Sequence, residues 1–491
     1  MKAKAGDVFC VWNSGLNKYT ACQITGMSHE FKSEQAVHLA LDWTGDKPMT
    51  EEEMHKAKPL YLDFMFHMGE ISLVNVTPEV PADYIYVGNM PPLAKNSSNA
   101  YGNWDNGYIV YLQMKWHEIP KDKRDEFKAA AKSRDTVMLS GSEIKVCTHK
   151  VYDDNISFED AGELKALPCL TELVCSHWHN GLCEYVRSNP FLKRLSLRGG
   201  NPAVLDFRGS RLGVLCVDLT GVKELWLNEH VFLEITGSAP KDCVIHAGDG
   251  GSGHCVEFHG TYLKYPSLNR LSGLYCTGVK EIDFEKLYGD YPELETLRLW
   301  GGPGYIRNFA SIKKFRRLKE FSTNDLFGFT AEDIPAPEEM ENLVWFWMSS
   351  LPDDAAKEVR RLYGKRKTQG LDLRIEKARK PEWLAENLDN PFRSWDGEEH
   401  IPASSAKRAA SQYKKTRKKL LELAGGQEPD VLQSALDAVS EYVRTFNRMR
   451  FIETQEREDI YEALCGILDM LQETELDTTA LLEHFEKNRD F

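Results

Sequence analysis

The sequence predicts a multidomain α+β chain. A β-rich domain occupies residues 1–120 and a helical linker 121–153. An irregular repeat solenoid with a parallel sheet spans 154–380, and a four-helix bundle spans 381–491. Three observations carry this. Short alternating apolar runs fill the opening segment, one apolar spacing recurs through the middle, and helical periodicity takes over after Pro381. With 491 residues there is length for several buried cores. Hydrophobic residues make up 42% and charged residues 28%, which excludes wholesale disorder.

The opening domain reads as strands because Tyr, Trp, Val and Ile recur at near-alternating positions in DVFCVW, YTACQIT, AVHLALDW, YIYVG and the run from Tyr108 to Met114. Asn13-Ser14-Gly15 and Pro91-Pro92 separate them. The segment from Lys121 to Lys132, KDKRDEFKAAAK, reads as a polar exit helix.

The solenoid rests on an apolar residue followed by others three and five positions later. Copies begin at Leu170, Leu192, Leu212, Val222, Val279, Leu294, Leu318 and Leu343. Each copy is a short strand whose alternate side chains point into a stack. One repeat cannot bury its own face, so neighbours stack in parallel and share a core. The residues between and beside the last two apolar positions then face outward. They assign Arg194, Arg198, Trp226, Asp283, Arg298, Trp300, Glu320, Trp345 and Trp347 to a concave partner-binding face. Trp and Arg are the side chains that dominate protein interfaces.

After the loop that ends at Ser404 and Ser405, expected N-caps, four segments are periodic: 406–424, 430–449, 453–471 and 478–488. Gly425-Gly426 punctuates the first pair. The first helix is basic and the last two are acidic, so complementary charge between packed helices accounts for the bias.

Lys and Arg number 61 against 75 Asp and Glu, a net charge of −14, which argues against a nucleic-acid partner. No apolar run reaches the length of a membrane span. Eleven cysteines, an odd number with no CxxC pair, predict reduced thiols and a cytoplasmic protein.

The repeat motif resembles the leucine-rich repeat family over about the length of the solenoid. It departs from the family at the turn after each strand, where the usual Asn is Gly200, Thr220, His230 or Leu351. The three parts in this order resemble bacterial leucine-rich-repeat domain proteins of the kind loosely labelled gliding motility proteins, through DNPFRSWDGEEHIPASSAKRAASQYKK. The opening GDVFCVWNSGLNKYTACQITG resembles a polymorphic-toxin immunity domain. That resemblance implies a domain that binds and neutralises a toxin.

Linear motifs for chemistry are weak. Cys175, His177, His179 and Cys183 have zinc-ligand character, but Cys175 holds a core position and no CxxC or HxxxH pair exists. Gly248 to His254 lacks the context of a phosphate loop, and Ser404-x-x-Lys407 lacks the partner motifs of a serine enzyme. The basic run Lys313, Lys314, Arg316, Arg317 reads as a solvated face. The expectation is therefore a non-enzymatic, cytoplasmic, protein-binding protein without cofactor or metal, an immunity or accessory protein that occludes a bacterial toxin. Two other classes stand beside it. One is an enzyme with a non-linear site among His55, Asp63, His67 and Glu70. The other is a structural scaffold of a surface-associated complex.

Overall fold

A computed structural model describes residues 1–28, 34–95, 98–104, 106–237, 240–425, 430–472, 474 and 476–491. The chain divides into two compact units, Met1–Ala378 and Arg379–Phe491.

Asp7–Asn13, Lys18–Ser28 and Gln35–Gly45 pair antiparallel in sequence order. Leu73–Val76 and Ile85–Asn89 close the two edges of this five-stranded sheet. Strand alternation sends Phe9, Val11, Cys22 and Ile24 into one apolar cluster. Val8, Cys10, Ala21 and Leu39 enter another on the opposite face. The run Tyr108 to Met114, expected as a strand, lies instead in the helix Asn106–His117. Its buried residues Val110, Gln113 and Trp116 recur every third position, a helical spacing that the local β-propensity does not override. The helix Lys121–Lys132 is not a free linker: it buries Phe127 against Trp116 and against Phe191 of the repeat region.

The solenoid begins earlier than expected, at Lys150–Tyr152, which pairs with Glu172–Cys175. Among the described residues its main sheet has eleven strands, ending at Asp372–Arg379. Pairing from Lys150–Tyr152 to Trp345–Pro352 is parallel throughout. Leu173, Leu195, Leu215, Leu233, Val256, Leu274, Leu297, Phe321 and Phe346 stand in one register-matched inward row. All are buried in a single core that runs from Leu139 to Leu373. The chain returns through the helices Leu182–Ser188, Phe284–Asp290 and Asp353–Tyr363, or through short 3₁₀ turns such as Phe309–Lys314.

Two of the expected copies have a different place. Val222, Leu225 and Leu227 belong to a second parallel sheet formed by Val204–Asp206, Glu224–Trp226 and Val244–His246 on the return side. The copy starting at Val279 is displaced. The strand there is Gly273–Asp283 and its inward frame is Leu274 and Cys276, preceded by Leu271. Two further strands, Phe232–Thr236 and Cys255–His259, carry repeats that the spacing did not reveal.

The N-terminal domain leans on the segments that lead into the strands. Arg211 donates to the Lys115 carbonyl at 2.8 Å and reaches Glu118 at 3.3 Å. Far along the chain, the Met1 ammonium donates to the Thr368 carbonyl at 2.9 Å. Gly370 packs so closely that a Cβ there would sit 2.4 Å from Ala82 N, and its φ of +100° already favours glycine.

The second unit holds the helices Ala403–Ala424, Val431–Phe446, Thr454–Asp469 and Thr478–Asn488, preceded by Pro381–Asn387. Ser404 and Ser405 lie inside the first turn, with Pro402 at the N-cap. Gly426 lies outside the described residues. Phe392, Trp395, Tyr442, Phe446, Leu464 and Phe485 are buried together, and the Trp395 indole donates to Asp459 at 2.7 Å.

Candidate interaction face

Strand alternation turns every second side chain of the main sheet away from the core. The register then lines up Glu234, Glu257, Tyr275, Arg298, Ser322 and Trp347 across successive strands. A neighbouring outward row carries Thr296, Glu320 and Trp345.

These rows assemble a stack of rings and guanidinium groups. Arg298 lies 5.0 Å from the Tyr275 ring centre and 4.2 Å from that of Trp345. It donates to Glu320 at 2.9 Å, which fixes the plane of its fork. Trp345 meets Trp347 at 4.3 Å between ring centres, and Arg374 lies 3.9 Å over Trp347. Each such contact is worth about 0.5–1 kcal/mol near a surface. Trp345 and Trp347 are half-buried, whereas Trp300, one position beyond the Leu299 core residue, is 44% exposed.

The other half of the face is acidic. Burial, followed by the charge on Glu234, raises the Glu257 carboxyl. Glu234 meets Arg194 at 3.6 Å and His259 at 3.7 Å. Burial pushes the Cys255 thiol up to about 12, so it stays protonated and inert at neutral pH.

Arg194, Arg298, Trp300, Glu320, Trp345 and Trp347 thus share this face, and Arg198 stands just past its strand, 3.9 Å from Asp154. Trp226 does not join them. It belongs to the second sheet, stacked on His246 at 3.6 Å with Arg208 4.1 Å from its ring centre. Asp283 is also elsewhere: it caps the helix Phe284–Asp290, accepting from the Glu285 and Lys286 N–H groups. Tyr275, Glu234, Glu257 and Arg374 were not foreseen. A frame started at Leu271 would have turned Tyr275 outward.

The basic run pairs with carboxylates of neighbouring repeats. Lys313 meets Glu339 at 3.0 Å, and Arg317 meets Glu293 and Glu295 at 2.8 and 2.6 Å. In the N-terminal domain His67 pairs with Glu70 on the surface, and Asp63 lies 3.2 Å from His117. A cavity of about 440 Å³ opens nearby, lined by Trp43, Leu60, Tyr61, Val110, Gln113 and His117 among others. None of His55, Asp63, His67 and Glu70 lines it. Of the residues with zinc-ligand character, Cys175 faces the core, where burial pushes its thiol up to about 12. His177 and His179 instead turn toward Asp153.

All eleven cysteines are free thiols. No described helix is long and apolar enough to cross a membrane. No protein-family model and no curated protein matches the chain. Among solved structures the chain is similar to internalin C2 from Listeria monocytogenes, at 12% identity and a TM-score of 0.18, over 46% of this chain and 82% of that one.

Proposed function

We propose that the protein is a non-enzymatic protein-binding protein of the leucine-rich-repeat type, and that the outward face of its long parallel sheet grips the partner. The observation that carries this reading is the stack Tyr275–Arg298–Trp345–Trp347–Arg374. Rings pre-ordered against guanidinium groups offer large apolar area at little entropic cost, beside donors that read acidic or carbonyl groups. The adjoining Glu234 and Glu257 add an acidic flank, so a partner with a basic segment beside an apolar one fits best. Occlusion of this kind needs no catalytic group, since about 1,600 Å² of buried surface suffices for specific association.

The finer reading is an immunity or accessory protein acting in the cytoplasm on a bacterial toxin. It rests on the resemblance of residues 6–26 to an immunity domain and on the unpaired thiols. Affinity capture from the native host tests the proposal when the wild type is compared with the double variant Trp345→Ala, Trp347→Ala. A protein held by the wild type and released by the double variant, but still held by a Trp12→Ala control, supports the sheet face. Equal capture by all three places the contact elsewhere.

A further inference from the structure

We infer that Asp153, His177 and His179 form a binding site for a divalent transition-metal ion of the zinc type, at the turns that follow the first two strands of the solenoid.

The position of Asp153 is the first argument. It follows Tyr152, which pairs with Val174, and its N–H donates to the Val174 carbonyl at 3.0 Å. It therefore stands opposite Cys175, in the inward row that continues with Leu197 and Val217. An ionised carboxylate in an apolar row is costly unless a cation or several donors meet it. Its side chain is only 1% exposed. Among the described residues, the imidazoles of His177 and His179 face it.

The second argument is geometric. Asp153 Oδ2 lies 2.9 Å from His179 Nε2 and 3.4 Å from His177 Nδ1, and the three donor atoms all lie within 4.8 Å of one another. Tetrahedral zinc with bonds of about 2.0–2.1 Å needs donors about 3.3 Å apart, a value that the two Asp153–imidazole separations bracket.

The surroundings hold the donors in place. Asp153 Oδ1 accepts from Ser176 N and Ser176 Oγ, each at 2.8 Å. Ser176 N also donates to Oδ2 at 2.9 Å, so the backbone amide straddles both oxygens and fixes the carboxylate with Oδ2 beside the imidazoles, the outer-sphere pattern that orients a metal-binding carboxylate. Phe158 stacks on the buried His179 ring at 4.1 Å. His177 has 65% of its side chain exposed, so one coordination position opens to solvent. A bound ion would carry a water or a partner's side chain there.

The test uses the full chain, freed of metal by chelation and titrated with cobalt chloride, then zinc chloride. The expected result is one cobalt ion per chain with the visible absorption of a low-coordinate site, displaced by zinc. The His177→Ala variant should bind cobalt about tenfold more weakly or worse. Because His177 is exposed, its far-ultraviolet circular dichroism should match that of the wild type. A His55→Ala control should bind as the wild type does. The inference is overturned if the wild type shows no such cobalt absorption, if His177→Ala binds as tightly as the wild type, or if His55→Ala loses as much.

Discussion

Trp347 shows how a single side chain can be held firmly without being core. Its ring is half-buried between Trp345 and Arg374. Trp347→Ala should lower stability by about 1–2 kcal/mol, well short of the about 3–5 kcal/mol of a fully buried aromatic. Chemical denaturation measures this, and a loss of the larger size would mark a packing residue instead of a contact surface. Glu295 gives a pH-dependent case. Burial would raise its carboxyl, but Lys319 and Arg317, at 2.8 and 2.6 Å, hold it below the ordinary 4.5. A depressed folded pKa contributes stability that is present above 4.5 and lost as pH falls below it. Glu295→Gln should therefore cost about 1–2 kcal/mol at pH 7. The gap from the wild type should close in denaturation curves taken at progressively lower pH. Neither partner contact was legible in the sequence, because ion pairs between repeats depend on which loops the stack brings side by side.

At the scale of the strand, repeats were legible where an apolar residue stands three positions before the inward row. Leu192, Leu212, Leu294, Leu318 and Leu343 do so. The strands Phe232–Thr236 and Cys255–His259 escaped because those positions hold His230 and Gly253, both in left-handed backbone with φ of 57° and 78°. A turn that needs positive φ excludes the marker leucine. The frame at Leu271 was hidden by a second buried set, Val279, Ile282 and Phe284, where the strand runs on through register shifts into its helix. For Trp226 the period gave a strand correctly, but nothing local distinguishes the two sheets. The same inter-strand closeness yields a sharp prediction. A Cβ at Gly273 would lie 1.9 Å from Cys255 Sγ but 3.2 Å from Cys255 Cβ. Gly273→Ala should destabilise by about 1–3 kcal/mol through overpacking. Adding Cys255→Ala should recover most of the loss, a coupling that a double-mutant cycle of thermal melts would register. Additive losses would disprove the contact.

Across the whole molecule, the two units, Met1–Ala378 and Arg379–Phe491, carry separate cores, and the period of the apolar residues changes near Pro381. A fragment covering 379–491 should melt cooperatively by circular dichroism, with Trp395, Tyr442 and Phe446 as its nucleus of buried rings. A featureless, non-cooperative melt would show that its core is insufficient. The first unit behaves differently because of the N-terminal domain. It touches the stack early, through Phe191 and Arg211, and again late, where Met1 reaches Thr368. An ordinary stack of repeats couples only nearest neighbours, so it frays from its ends and unzips in stages. Here a residue at one extreme of the sequence is fastened 367 positions away, like the clasp on a bound volume. Fraying of the last repeats must then break the same domain that steadies the first ones. Unfolding of this unit should therefore be closer to all-or-none than that of an unclasped array, which coincident thermal melts by circular dichroism and tryptophan fluorescence would check.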